Sequence, residues 1–118
     1  MIFSDEEKDK NRRRRVKSSY IHIMDLRDHG LLEEKQEVHL EFRFESLSPS
    51  ALQSLLKDLA GETDYEMKTV ETESGFFLEG KTPPTSVTFK VVEEWVLWMC
   101  AIGERNDCLF SSWNLFIE

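Results

Sequence analysis

Hydrophobic and polar positions alternate most cleanly between Gln36 and Glu45. Val38, Leu40, Phe42 and Phe44 fall on one side, and His39, Glu41, Arg43 and Glu45 on the other. A period of two over this length predicts a strand with one buried and one wet face. Three stretches carry a helical period instead. Ser4-Asp5-Glu6-Glu7 is a capping box, in which a serine hydroxyl and a glutamate three residues on each satisfy a free backbone N–H. It predicts a helix running to His29, with Gly30 as its left-handed stop. Val16, Tyr20, Ile23 and Leu26 or Arg27 give that helix one apolar stripe. Its first half has none and is expected to project or fray.

Ser48-Pro49 pairs an N-cap with proline at the first helical position. Ala51, Leu52, Leu55, Leu56 and Leu59 then form a stripe that Gly61 closes. Tyr65 to Thr72 and Phe76 to Lys81 predict a hairpin around Glu73-Ser74-Gly75. Pro83-Pro84 breaks the chain. Val87 to Arg105 predicts the third helix, crowded by Val91, Val92, Trp95, Val96, Trp98, Met99 and Ile102. Cys108 to Ile117 is the last strand. It has Leu109, Trp113, Leu115 and Ile117 on one side and Cys108, Phe110 and Phe116 on the other, so both faces read as apolar.

This order predicts an α+β fold. An additional N-terminal helix within 1–30 precedes a ferredoxin-like βαββαβ antiparallel sheet over 31–118, with two helices on one face. A chain of 118 residues is expected to form a single domain, 1–118, with a core of its own.

Charge changes the picture next. The net charge is −8 and the pI about 4.9. Residues 1–30 hold eight basic against six acidic residues, whereas residues 31–118 hold seven basic against seventeen acidic. Nucleic-acid domains are usually basic, so direct nucleic-acid binding is not expected of the acidic body. Arg12-Arg13-Arg14-Arg15 is the exception to weigh. At about 100° per residue the four side chains ring the helix and form no flat patch. Glu6, Glu7 and Asp9 stand three or four residues before Lys10 and Arg13, where they can pair along the helix. The run is either a self-paired solvated end or a contact for RNA or an acidic protein.

The longest apolar run, Trp95 to Ile102, is far shorter than the ~20 residues of a membrane span. The first residues lack the basic and apolar regions of a signal peptide. Cys100 and Cys108 then read as free, buried thiols of a cytoplasmic protein.

Candidate chemistry is sparse. His22 and His29 lie seven apart and cannot grip one metal as an i, i+4 pair does, and His39 alternates with Val38 and Leu40 on the first strand. The cysteines lack CxxC spacing. Glu71/Glu73 and Glu93/Glu94 read as solvated carboxylates, and no nucleophile elbow, phosphate loop or HExxH motif occurs. Neither catalysis nor a metal or cofactor is expected.

Val91-Val92-Glu93-Glu94-Trp95-Val96, then Met99, then Ile102 to Asn114, resembles the regulator of ribonuclease E activity B (RraB) family. Members end in an acidic-start helix and a hydrophobic strand leading to a Tyr-Asp-Gly-Trp-Gly signature. Here that signature stands as Phe110-Ser111-Ser112-Trp113-Asn114, which keeps the tryptophan and the leading aromatic. The resemblance covers roughly residues 20 to 118. It implies a non-catalytic ferredoxin-like domain that binds ribonuclease E and inhibits RNA decay. Phe110 and Trp113 would anchor the partner, while Glu93 and Glu94 of the acidic body would meet its basic segment. An immunity-type inhibitor of a basic nuclease toxin is the alternative.

Overall fold

The capping box forms as expected. Ser4 Oγ accepts the Glu7 amide at 3.1 Å, and Glu7 Oε1 accepts the Ser4 amide at 3.2 Å. The computed structural model describes residues 3–28 and 37–116. The expected helix end at His29-Gly30, Gln36 and Ile117 lie outside the described residues.

The elements are α1 (Asp5–Asp28), β1 (Glu37–Ser46), α2 (Pro49–Glu62), β2 (Glu66–Thr72), β3 (Gly75–Lys81), β4 (Thr85–Ser86), α3 (Phe89–Arg105) and β5 (Cys108–Phe116). Two helix starts are set by local caps. Ser48 Oγ accepts the Ala51 amide and Thr88 Oγ1 the Val91 amide, each at 3.2 Å. The Thr88 cap moves the start of α3 to Phe89, two residues beyond the expected Val87, which is buried ahead of the helix. α2 runs one residue past Gly61, and the Thr63 amide bonds to Leu59 O at 2.9 Å.

β1 is the centre of the sheet. It pairs antiparallel with β3 on one side and with β5 on the other, and β2 pairs antiparallel with β3. The four long strands therefore stand in the order β5-β1-β3-β2, the ferredoxin-like arrangement. After Pro83-Pro84 the two-residue β4 pairs with Glu37 and Val38 at the start of β1. Leu52, Leu55 and Leu59 of α2 and Val92, Val96, Met99 and Ile102 of α3 join Val38, Leu40, Phe42 and Phe44 of β1 in one buried cluster. Gly103 lets α3 lie close on β1, since a Cβ there would stand 2.9 Å from Phe44 Cε1 and 3.0 Å from Cys108 O. Among the described residues no helix is long and apolar enough to cross a membrane.

Two expectations need correction. The last strand is not apolar on both faces. Arg43 faces Ser112 and Phe44 faces Phe110, so Ser111 is an extra residue, a β-bulge whose Oγ donates to Arg43 O at 3.0 Å. The bulge inverts the side-chain parity. Cys108, Phe110, Trp113 and Leu115 all pair with core-facing positions of β1, while Leu109, Ser112 and Asn114 face the other way.

The first half of α1 does not project either. Lys8 Nζ reaches Asp107 Oδ1 at 3.4 Å, Arg12 forms a two-pronged contact with Glu104, and Asn11 Nδ2 donates to Phe110 O at 3.0 Å. Arg15 Nη1 donates to Ser111 O. An edge strand presents unpaired carbonyls that invite another chain. Here α1 side chains occupy two of those on β5. Polar contacts, not an apolar stripe, hold this half of the helix.

Candidate partner-binding surface

The open face of the sheet carries a charge checkerboard. Across β1, β3 and β2 the aligned rows are Glu41, Lys81, Glu66 and then Arg43, Glu79, Lys68, followed by Glu45, Phe77, Val70. Opposite charges face one another within a row and alternate between rows, which favours pairing inside the sheet. Four-stranded RNA-binding sheets stack bases on exposed aromatics. The aromatic in these rows is Phe77, and Arg43 lies over its ring at 3.8 Å. Charged residues dominate these rows, and the aromatic in them is already covered by Arg43.

The helical side holds an aromatic cluster. Phe110 packs on Phe44 (5.2 Å between centroids) and edge-on to Trp95 (5.5 Å). Trp95 also meets Phe42 and Trp113, and its indole N–H donates to Tyr65 Oη at 3.1 Å. Burial pushes the Tyr65 hydroxyl pKa up.

Phe110 is 0 % exposed, which corrects its expected place on a binding rim. The bulge at Ser111 turns it under α3, and a side chain so enclosed cannot reach a partner.

Trp113 is half-buried at the outer end of the same cluster. Its Nε1–H donates to Ser19 Oγ at 2.7 Å, and its ring meets His22 edge to face at 4.8 Å. His22 Nε2 contacts Asn114 Oδ1 at 3.2 Å. These contacts hold the indole at the wall of a groove of about 450 Å³ lined by Arg15, Ser18, Ile21, His22, Asp25 and Ser112. Burial lowers the Arg15 pKa, and the neighbouring charge of Arg14 adds to the effect.

Glu93 and Glu94 are not beside Trp113. Glu93 is half-buried and accepts a hydrogen bond from the Tyr20 hydroxyl, while Glu94 is exposed. Tyr20 and Val16 line a second groove, of about 470 Å³, with Leu97, Arg12, Arg13 and Lys17. At about 100° per residue, the α1 residues of this groove and those of the Trp113 groove lie on opposite sides of the helix. The expected site residues thus divide into Phe110 in the core, Trp113 at its groove, Glu93 bonded to Tyr20 across α1, and Glu94 exposed on α3.

The arginine run divides as well. Arg12 joins Glu104, which raises its pKa through a hydrogen bond and opposite charge. Arg13 pairs with Asp9 at 3.1 Å, Arg14 is exposed, and Arg15 serves β5. His39 Nδ1 donates to Thr82 O at 2.7 Å, a structural contact. Among the described residues no cluster of histidine, cysteine or carboxylate side chains is arranged to hold a metal ion. Cys100 and Cys108 are free and fully buried.

Ser19, His22 and Arg15 escaped the sequence reading as site residues. Ser19 carried a signal. It stands three after Val16 and four before Ile23, a hydroxyl on the buried stripe that needs a partner. No protein-family model matches this chain, and no curated protein matches it.

Proposed function

We propose that this chain is a non-catalytic regulatory protein that binds a protein partner through the Trp113 groove and inhibits ribonuclease E-type RNA decay in the cytoplasm. The observation that carries the reading is the mounting of Trp113, fixed by Ser19 and His22 at the wall of an open groove. Binding energy concentrates in a few aromatic anchors, tryptophan foremost, and a ring already held in place loses little entropy on binding. The acidic residues of 31–118 would speed the approach of a basic partner segment, an attraction that salt screens with a Debye length of about 8 Å. The ferredoxin-like order agrees with the family resemblance of the last third, and the acidic balance of residues 31–118 favours a protein partner over RNA.

The test uses a purified ribonuclease E-type endoribonuclease and a single-stranded RNA substrate. The intact chain should slow cleavage and bind the enzyme, more weakly at high salt. Trp113→Ala, if folded, should bind at least about 2 kcal/mol more weakly. Absence of binding at low salt refutes the reading. Inhibition of a basic nuclease toxin with no effect on ribonuclease E would replace the partner.

A further inference from the structure

The outer face of α1 lies between the two grooves, with Lys17 at the rim of one and Ile21 at the rim of the other, and takes no part in the core. Arg14, Lys17, Ile21, Met24 and Asp28 recur at spacings of three and four, the seam spacing of a coiled coil. All five are exposed, and Ile21 (61 %) and Met24 (55 %) are the most exposed large hydrophobic residues among those described. The stripe points away from Ser19 and Ile23, the buried residues of the helix. Along it the chemistry runs basic, then apolar, then acidic.

We propose that two copies of this chain associate through this stripe, with their α1 helices antiparallel. Ile21 then faces the partner's Met24, and Lys17 faces the partner's Asp28. Each contact occurs twice, as a two-fold interface requires.

Charge complementarity selects the occupant. A stripe ordered basic–apolar–acidic matches itself when reversed and opposes itself when parallel. An anionic membrane or an acidic peptide would suit Arg14 and Lys17 but meet Asp28 and the acidic body. The seam involves one helix per copy and buries less than the ~1,200 Å² of standard stable interfaces, so the dimer is weak and dissociates on dilution.

This inference goes beyond the binding reading above and is tested without any partner. Sedimentation equilibrium on the full chain at low ionic strength, from micromolar to near-millimolar, should show the mass rise from monomer towards dimer. Lys17→Asp and Asp28→Lys should each weaken the dimer roughly tenfold, since two pairs become like-charged. The double variant should return to the wild-type constant. Circular dichroism checks that each variant is folded, and Ile21→Asp provides a second, uncharged-pair-independent disruption. A monomer at every concentration overturns the proposal. So does a dimer indifferent to the single reversals, or a double variant no better than either single one.

Discussion

The indole N–H of Trp113 donates to Ser19 Oγ at 2.7 Å, and that same hydroxyl donates onward to Arg15 O at 2.6 Å. Residues 94 apart in the chain are thereby joined through a buried hydroxyl with both its donor and one acceptor site used. The link ties α1 to β5 on the core side. Asn11 and Arg15 do the same at the strand's outer edge.

Ser19→Ala removes the acceptor and leaves the indole N–H unpaired. Losing a buried partner costs about 1–3 kcal/mol, offset by roughly 0.5 kcal/mol from the better helix propensity of alanine. Urea denaturation should show a net loss of about 1–2 kcal/mol. A variant as stable as the wild type would mean the hydrogen bond contributes nothing.

Trp113→Phe keeps an aromatic ring against His22 and Trp95 but loses the N–H. Ser19 still has Arg15 O as an acceptor for its own proton, so the expected loss is about 1 kcal/mol. Trp113→Ala removes the ring as well. For a half-buried aromatic the loss should fall below the 3–5 kcal/mol of a fully buried one, at about 2–3 kcal/mol. Melting temperatures of the two variants, measured beside partner affinity, separate packing from recognition. A phenylalanine variant that binds normally and an alanine variant that stays folded but does not bind would place the binding energy in the ring.

Burial pushes the Cys100 thiol up to about 12 and the Cys108 thiol up to about 11, both from an ordinary 9.0. In the unfolded chain the thiols ionise first, so the unfolded state binds fewer protons above pH 9. Stability from these groups is therefore fully present below pH 9 and falls as pH rises through about 11 to about 12. At neutral pH a thiol reagent should label neither cysteine in the folded protein and both after denaturation. Rapid native labelling at pH 7 would contradict their burial.

Gly103→Ala tests the approach of α3 to β1. Alanine suits a helix better than glycine by about 1 kcal/mol. Its Cβ, however, would stand 2.9 Å from Phe44 Cε1 and 3.0 Å from a backbone oxygen that cannot swing away. Overpacking of this kind costs about 1–3 kcal/mol, so the variant should be less stable in spite of its propensity. A raised melting temperature would show that α3 shifts freely.

Features that depend on near neighbours are legible in the chain before it folds. The period of two in β1, the caps at Ser4 and Ser48, and the tight turn at Gly75 (φ 145°) each rest on residues within a few positions of one another. From these the element order, and with it the ferredoxin-like sheet, could be read. The remaining features depend on partners distant in the chain. The fate of the first half of α1 hangs on Arg12 meeting Glu104 and Asn11 meeting Phe110 O, partners 92 and 99 residues away that no local period reveals. The bulge at Ser111 shows only in the register of β5 against β1, strands far apart in the chain. That one extra residue turned Phe110 inward and kept Trp113 on the same side as Phe42, where α1 could grip it. Which aromatic meets solvent was thus settled by strand pairing, because side-chain direction in a strand follows the count of residues between paired positions.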